Sequence, residues 1–527
     1  MKKTIYLLAF LWAFFGQLNA QFDMDLELCE SQDKALIHDA IQLESEEYIS
    51  VKSTLDAYDK VIIELLDVDM KLMQSAETGL VYKKSRDGDN KFFRSLEYFG
   101  GKVYLFYSVN KDVNYSFKLY AAEIDLNTLS LSENPLFICD FDKKVSKDIG
   151  RLEIEKSSNE EYMVIHFREL IQKTLEEKEY LKLVNLDQRL NILWEKETLE
   201  YTESKSRKYM GVVVNNAGEV FVLEQWTEGV VYRFNKEKHP LYNYFLYKFD
   251  RRGAKRFKKD LELDGRFTID LDISMTLSGD LVVSGIFYLI DQGNGVVYQR
   301  FNAETLKLQA STFNRFDLEY LIEGGEAYEE KMARKNYEKG ILADLPITVR
   351  GLVHKPDGGL ILLGEKYSKD RITSSLLPPV YRHSFGEIFI INLDALGNIL
   401  WKKKLFKRQG YVQSEFPLYA PNLGEFGTGS FIYTYRKDRL ILFFNSMQYD
   451  EESDKYSSYG KIKLKRNLYA ISIFETGKVD RQQIFESSNH GVVIYPSYTK
   501  PLNEELTDFM LVGVYKNKQR LVHLVVE

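Results

Sequence analysis

Residues 392–405 read NLDALGNILWKKKL, and residues 185–197 read NLDQRLNILWEKE. Whatever this phrase builds, the chain builds more than once, so its meaning constrains the whole fold. In both copies an alternating apolar strand (IFIIN at 388–392, LKLVN at 181–185) enters a polar turn and a second strand leaves it. An aromatic residue follows the aspartate at the same spacing, Trp401 after Asp394 and Trp194 after Asp187. That is a β-hairpin signature, with Gly397-Asn398 supplying positive φ in one copy. YKFDRRGAKRFKK is a third copy, in which Asp250 leads to Phe257.

A second element precedes each hairpin, a turn followed by a strongly apolar strand. Its instances are GGKVYLFY, EEYMVIHF, GEVFVLEQ, GDLVVSGIFY, GGLILLGEKY, DRLILFFN and DFMLVGVY. With a further strand ahead of the turn, each repeat reads as four antiparallel strands, the unit of a propeller blade. The expectation is an all-β fold, a seven-bladed β-propeller, with eight blades as the alternative count. The last repeat runs out after RLVHLVVE without a fourth strand, and KVIIELLDVDMKL (60–72) is an N-terminal strand without a repeat. Pairing the two predicts a ring closed by that strand, which would remove exposed sheet edges. The domain plan is a signal peptide over 1–20, an N-terminal segment over 21–59, and a single domain over 60–527.

Composition agrees with strands: 35 Tyr and 33 Phe against 10 Pro. Lys2 and Lys3, the apolar run from Ile5 to Phe15, and Gln17-Leu18-Asn19-Ala20 read as an export signal cleaved after Ala20. Export to the periplasm or cell envelope, or release, follows as an expectation, and no stretch is long enough for a transmembrane segment. Two cysteines in an oxidising compartment, Cys29 and Cys139, could form one disulfide or remain unrelated thiols. A formal charge of -7 argues against nucleic acid as a partner.

The stretch GGLILLGEKY…EIFIINLDALGNILWKKKL resembles the propeller repeats of many secreted bacterial proteins, in which a glycine-led strand precedes a D-x-x-G-N-x-x-W hairpin. The resemblance implies a fold and an exported location, and no shared activity.

Sequence in excess of the repeat is unevenly spread. The third repeat inserts WTEGVVYRFNKEKHPLYNY (226–244), the fifth YSKDRITSSLLPPVYRHSFG (367–386) and the sixth MQYDEESDKYSSYGKIK (447–463). A helical insertion at about 316–344 contains EAYEEKMARKNYEK, with Glu/Lys pairs near helical spacing. Blade topology puts these on one face over repeats 3 to 6. Tyr232, Arg233, His239, Tyr381, Arg382 and His383 are the candidate binding residues there, suited to a protein or glycan ligand. The bland alternative is loop drift, with the tyrosines covering neighbouring blades.

No hydrolase, zinc or phosphate-loop motif occurs, and nothing in the sequence calls for a catalytic residue, metal or cofactor. His166 and His523 alternate with apolar residues in strands and read as structural. Asp270 and Asp272 share one face of an inner strand and read as solvated, channel-facing acids. The expected function is therefore an exported binding or scaffolding module. A glycan-active enzyme using channel carboxylates, or a subunit of an envelope transport or assembly complex, is the alternative.

Overall fold

In the computed structural model the repeated aspartate is the organiser of its turn. Asp394 Oδ1 accepts from the backbone N–H of Leu396 (2.9 Å) and Asn398 (2.8 Å), and Oδ2 from the Asn398 side chain (2.9 Å). Asp187 repeats this with Arg189, Asn191 and the Asn191 side chain, each at 2.9 Å. Such side-chain bonds replace the ladder where the chain reverses. The positive-φ position is Gly397 (87°) in one copy and Leu190 (60°) in the other. The tryptophans then pack against the next sheet. Trp401 Nε1 donates to Glu475 O at 2.6 Å, and the bare Gly253 lets Trp194 approach so closely that a Cβ would lie 2.6 Å from its ring. Phe257, the aromatic of the third copy, stays exposed.

The structure describes residues 24–33, 35–54, 60–81, 91–110, 117–141, 151–173, 176–197, 205–228, 242–264, 266–289, 293–323, 327–337, 347–372, 380–414, 430–446, 448–450, 455–457, 467–490, 493–502, 507–515 and 518–526. Seven four-stranded antiparallel meanders follow one another, at 35–81, 91–141, 151–197, 205–260, 267–315, 347–414 and 432–485; these are units 1 to 7. A composite sheet, unit 8, combines Val493–Pro501, Asp508–Tyr515 and Lys518–Val526 with the N-terminal strand Met24–Asp33. Isolated ladder pairs join neighbouring units, Val81 to Phe92 and Lys178 to Arg207, so the sheets count 4, 9, 8, 4, 6 and 4 strands.

The expectation of a seven-bladed propeller with a strand-closed ring is corrected. Among the described residues every sheet is an open path, and none closes into a ring. The strand expected to close one, at 60–72, lies inside unit 1, where Lys60–Leu66 pairs with Tyr48–Thr54 and Leu72–Val81. The strand on Lys518–Val526 is Met24–Asp33, with Met24 opposite Val526 and Asp33 opposite Lys518. Unit 1 escaped the sequence pattern because its second strand, YISVKST, intersperses Ser50, Lys52 and Ser53 where the other units carry an apolar run.

An apolar cluster lies at each junction between successive units. Phe117, Phe141 and Phe167 join units 2 and 3, and Leu363, Leu405, Leu442 and Ile471 join units 6 and 7. The two chain ends pair within unit 8, and units 8 and 1 meet through Met510 and Leu502 against Ala40, Tyr48, Leu66 and Met70, with the Gln42 N–H donating to Leu502 O at 2.9 Å. First strands of neighbouring units lie side by side, those of units 4, 5 and 6 among them, and form the inner edges of the sheets.

The helical insertion forms α1 (Leu318–Ile322) and α2 (Ala327–Tyr337). Phe316 and Tyr320 enter the cluster joining units 5 and 6, and Tyr320 donates to Lys403 O at 3.1 Å. Lys404 caps α1, donating to Leu321 O (3.0 Å) and Glu323 O (3.1 Å), and burial holds its pKa down at about 8. The start of this segment is part of the core and not a free surface loop.

Candidate functional site

The sequence's fifth and sixth repeats are units 6 and 7, and their insertions continue the sheet. In unit 6 the last three strands run Leu360–Ile372, Val380–Leu393 and Ile399–Ser414, of 13, 14 and 16 residues. Their counterparts in unit 5, Leu281–Leu289, Gly293–Phe301 and Leu308–Arg315, have 9, 9 and 8. The surplus is a second ladder, Tyr367 to Ile372 against Phe385 to Val380, which pairs on its other side with Gln409 to Ser414. A small hairpin from unit 7, Gln448–Asp450 with Lys455–Ser457, adds to it through Phe406–Arg408.

This extension stands on a fully buried ionic foot. Register shifts after Glu365 and at Phe385/Ile388 separate it from the body of the sheet. At that break Glu365 pairs with Lys407 and accepts from Ser430 Oγ and Arg350 Nε, both at 2.8 Å. Lys407 also donates to Gln409 Oε1 (3.0 Å), whose amide donates to Asn445 O (2.6 Å). Burial pushes the Lys407 ammonium down and Glu365 opposes the shift. A desolvated pair of this kind contributes little net stability, but it penalises any geometry that separates the partners. Arg350 lies 5.5 Å from the centre of the Tyr367 ring, which packs on Phe385 at 5.1 Å, and Tyr367 Oη is 2.8 Å from His383 Nδ1.

A second group of polar side chains gathers along the inner strands of units 3 to 7. Asp270 Oδ2 accepts from Val349 N of unit 6 at 3.0 Å, and Lys208 and Arg350 also act on its charge. Arg168 of unit 3 pairs with Glu153 and donates to Tyr209 O of unit 4 at 3.0 Å. Asp272 is half-buried, and burial pushes its pKa up to about 6; the charges of Asp270 and Glu155 add to the rise, while the Ile273 N–H and Arg168 oppose it. Tyr433 of unit 7 is raised to about 12 by burial and by Asp272, and Gly351 leaves room for its hydroxyl. The two aspartates expected as solvated acids are therefore partly desolvated. Burial was the missing quantity, and no spacing rule supplies it.

Among the sequence candidates, Arg382 is exposed on the unit 6 extension and its neighbour His383 is buried against Tyr367. Tyr381 lies on the same strand, with its side chain outside the described residues. Tyr232, Arg233 and His239 fall outside the described residues altogether. Cys139 is buried as a thiol between units 2 and 3, while the side chain of Cys29, the other half of the possible bridge, is outside the described residues. Glu365, Lys407 and Arg350 were missed by sequence reasoning. The only signal was three charges inside apolar strands, at GEKY, LFKRQ and TVRGLV.

Among the described residues no group of three or more His, Cys, Asp or Glu could hold a metal ion, and no helix is long and apolar enough to cross a membrane. No protein-family model matches the chain, and no curated protein matches it. Solved structures similar to it include the WD40 domain of SCAP from fission yeast, at 8% identity over 95% of this chain and 98% of that one, TM-score 0.37. A europium-containing methanol dehydrogenase aligns at 10% identity over 93% and 84%, TM-score 0.41. The β-propeller domain of the Trilobed protease from Pyrococcus furiosus aligns at 9% over 85% and 97%, TM-score 0.35. Likenesses this distant carry neither a family nor an activity to this chain, which stands as a sheet-rich protein without a specific family.

Proposed function

We propose that the chain is an exported binding module that captures a protein or glycan ligand at the cell envelope on the face where the unit 6 extension projects. The observation that carries this reading is the ladder itself. Residues 367–372, 380–385 and 409–414 form ordered strands on a buried ionic foot, which is an unusual outcome for drifting connections. Loops and extensions held by a rigid scaffold are where recognition is commonly placed. The test replaces residues 369–383 by an Asn-Gly turn and compares both chains for retention of envelope proteins and on a glycan array. The reading expects an unchanged unfolding midpoint and lost retention of a ligand that the unaltered chain holds. Equal retention by both chains sinks it.

One observation favours a second reading, a glycan-active enzyme. A carboxyl group raised to about 6, like that of Asp272, suits a general acid. Glycan cleavage by the full chain that Asp272→Asn abolishes would support it, and no cleavage across a polysaccharide panel would exclude it.

A further inference from the structure

The fourth, outer strands of the units differ in charge. Those of units 3, 5 and 7, ILWEKE, LQASTFNR and VDRQQIF, carry few or mixed charges. The outer strand of unit 6 is lysine-rich, but its lysines are committed: Lys402 pairs with Asp317, Lys404 caps α1 and Lys407 pairs with Glu365. The outer strand of unit 4, Lys255–Asp260, reads KRFKKD and follows a turn bearing Arg251 and Arg252. Arg251, Arg252, Lys255 and Lys258 are exposed, and none of them forms an ion pair among the described residues.

Three of these cations lie over rings instead. Lys258 Nζ is 3.7 Å from the centre of the Phe245 ring and 4.8 Å from that of Trp226. Lys255 Nζ is 4.3 Å from the centre of the Tyr247 ring and Lys258 Nζ 5.9 Å from it, so the two lysines share that ring. The Arg251 guanidinium lies 5.1 Å from the centre of the Tyr162 ring of unit 3. Lys196 of unit 3 joins the row, 5.1 Å from the Phe249 ring, while its neighbours Glu195 and Glu197 turn to Lys182. The carboxylates on this face are Glu224, which accepts from Trp226 Nε1 at 2.7 Å, and Asp260, opposite Phe245; neither pairs with a lysine of the row.

We propose that this strip is a docking edge for an extended acidic peptide of a partner protein, added to Lys255–Asp260 as a further strand. Two needs coincide there. The strand pairs with Tyr242–Phe249 on one side and with no described strand on the other, so its outward backbone groups are not used by the sheet. Its ammonium groups are unneutralised, in a chain whose formal charge is -7. A strand with an acidic residue at every second position meets both needs, because alternate side chains fall on the one face that Lys255 and Lys258 occupy. An ammonium over a ring still has hydrogens to donate to a carboxylate. A polyanionic glycan would answer the charge and leave the backbone edge unpaired. Lysines also deter edge-to-edge pairing of identical strands. The outer strands of units 3, 5 and 7 lack such a row, so edge protection alone does not account for it.

This edge is separate from the unit 6 extension, and the experiment keeps the two apart. A short dye-labelled peptide of alternating glutamate and valine, blocked at both ends, is titrated with the full chain and followed by fluorescence anisotropy. It should bind, more weakly as salt is added. Lys255→Gln with Lys258→Gln, changes at exposed side chains, should weaken binding about tenfold without lowering the unfolding midpoint. The same peptide N-methylated along one edge keeps its charge and loses the backbone donors, and should also bind at least about tenfold more weakly. The chain lacking residues 369–383 should bind the peptide as the full chain does. No binding, or unchanged affinity in the double variant, overturns the proposal. So does equal affinity for the N-methylated peptide or for a polygalacturonate fragment of matched charge, because the strip would then read charge alone. Loss of binding on removal of residues 369–383 overturns it as well, since the peptide would then sit on the extension.

Discussion

Asp272→Asn offers a direct measure of what the inner carboxylates cost the fold. Burial, with the charges of Asp270 and Glu155, raises the Asp272 pKa from 3.8 to about 6. Between those values the folded chain binds more protons than the unfolded chain, so stability falls as pH rises through the window. The difference of about two units is worth about 3 kcal/mol at face value, and solvent screening of a half-buried group reduces it to about 2 kcal/mol. Asparagine does not titrate and can still accept the Ile273 N–H at Oδ1. The assay is urea unfolding of both proteins at intervals from about pH 4 to pH 7. Any constant effect of the amide cancels, and the stability of Asp272→Asn minus that of the unaltered chain should grow by about 2 kcal/mol across the window. A flat difference, or one that shrinks with pH, would refute the claim that Asp272 is ionised against its environment.

Four further outcomes follow from the same geometry. Glu365→Gln should destabilise by about 3–5 kcal/mol because it strands Lys407, and adding Lys407→Met should recover part of that loss in a double-mutant cycle. His354, which burial holds at about 4 while Ser274 Oγ sits 2.7 Å from its Nε2, favours the fold above its unfolded pKa of 6.5 and loses that advantage as pH falls towards 4. His354→Gln should therefore flatten the acid limb of the stability profile by up to about 3 kcal/mol. Gly253→Ala combines a φ of 76° with a Cβ 2.6 Å from the Trp194 ring, and should cost about 2 kcal/mol in chemical denaturation. Deleting residues 24–33 uncovers the Lys518–Val526 edge and should produce more concentration-dependent association by light scattering than the full chain measured alongside it.

What the sequence made legible was whatever is local. The Asp187 and Asp394 turns are built by side chains reaching two and four residues along the chain, so their spacing carried the whole message. Trp401 was placed between sheets for the same reason: its position after the aspartate fixes the strand face it occupies. Closure was not local. Met24–Asp33 and Lys518–Val526 pair across nearly the whole chain, and their alternation alone fits several partners equally well. The site was legible only where it interrupts the repeat. Residues 367–386 stood out as surplus, yet their pairing with Gln409–Ser414 required the fourth strand to be lengthened in step, which no turn signal announces.

The repeat and its departures also divide the sheet between two tasks. Following the register inward from the outer tryptophans, Trp194 faces Asn185, which faces Val164, and Trp401 faces Asn392, which faces Ile361. The same path in unit 4 leads from Phe257 through Lys248 to Phe221. Four residues further along these second strands stand Arg168, Glu365 and Gln225. Near the turns the units therefore agree in kind, an aspartate with an aromatic beyond it, because each turn must lie on the next sheet. At the far ends of the same strands they disagree in charge and in partner: Arg168 reaches Glu153 and Tyr209, Glu365 reaches Lys407 and Ser430, and Gln225 reaches Tyr244. Packing between sheets asks the same thing of every unit, so it keeps the units alike. A ligand seated against several units asks something different of each, and it is at these ends that the unit 6 extension is found.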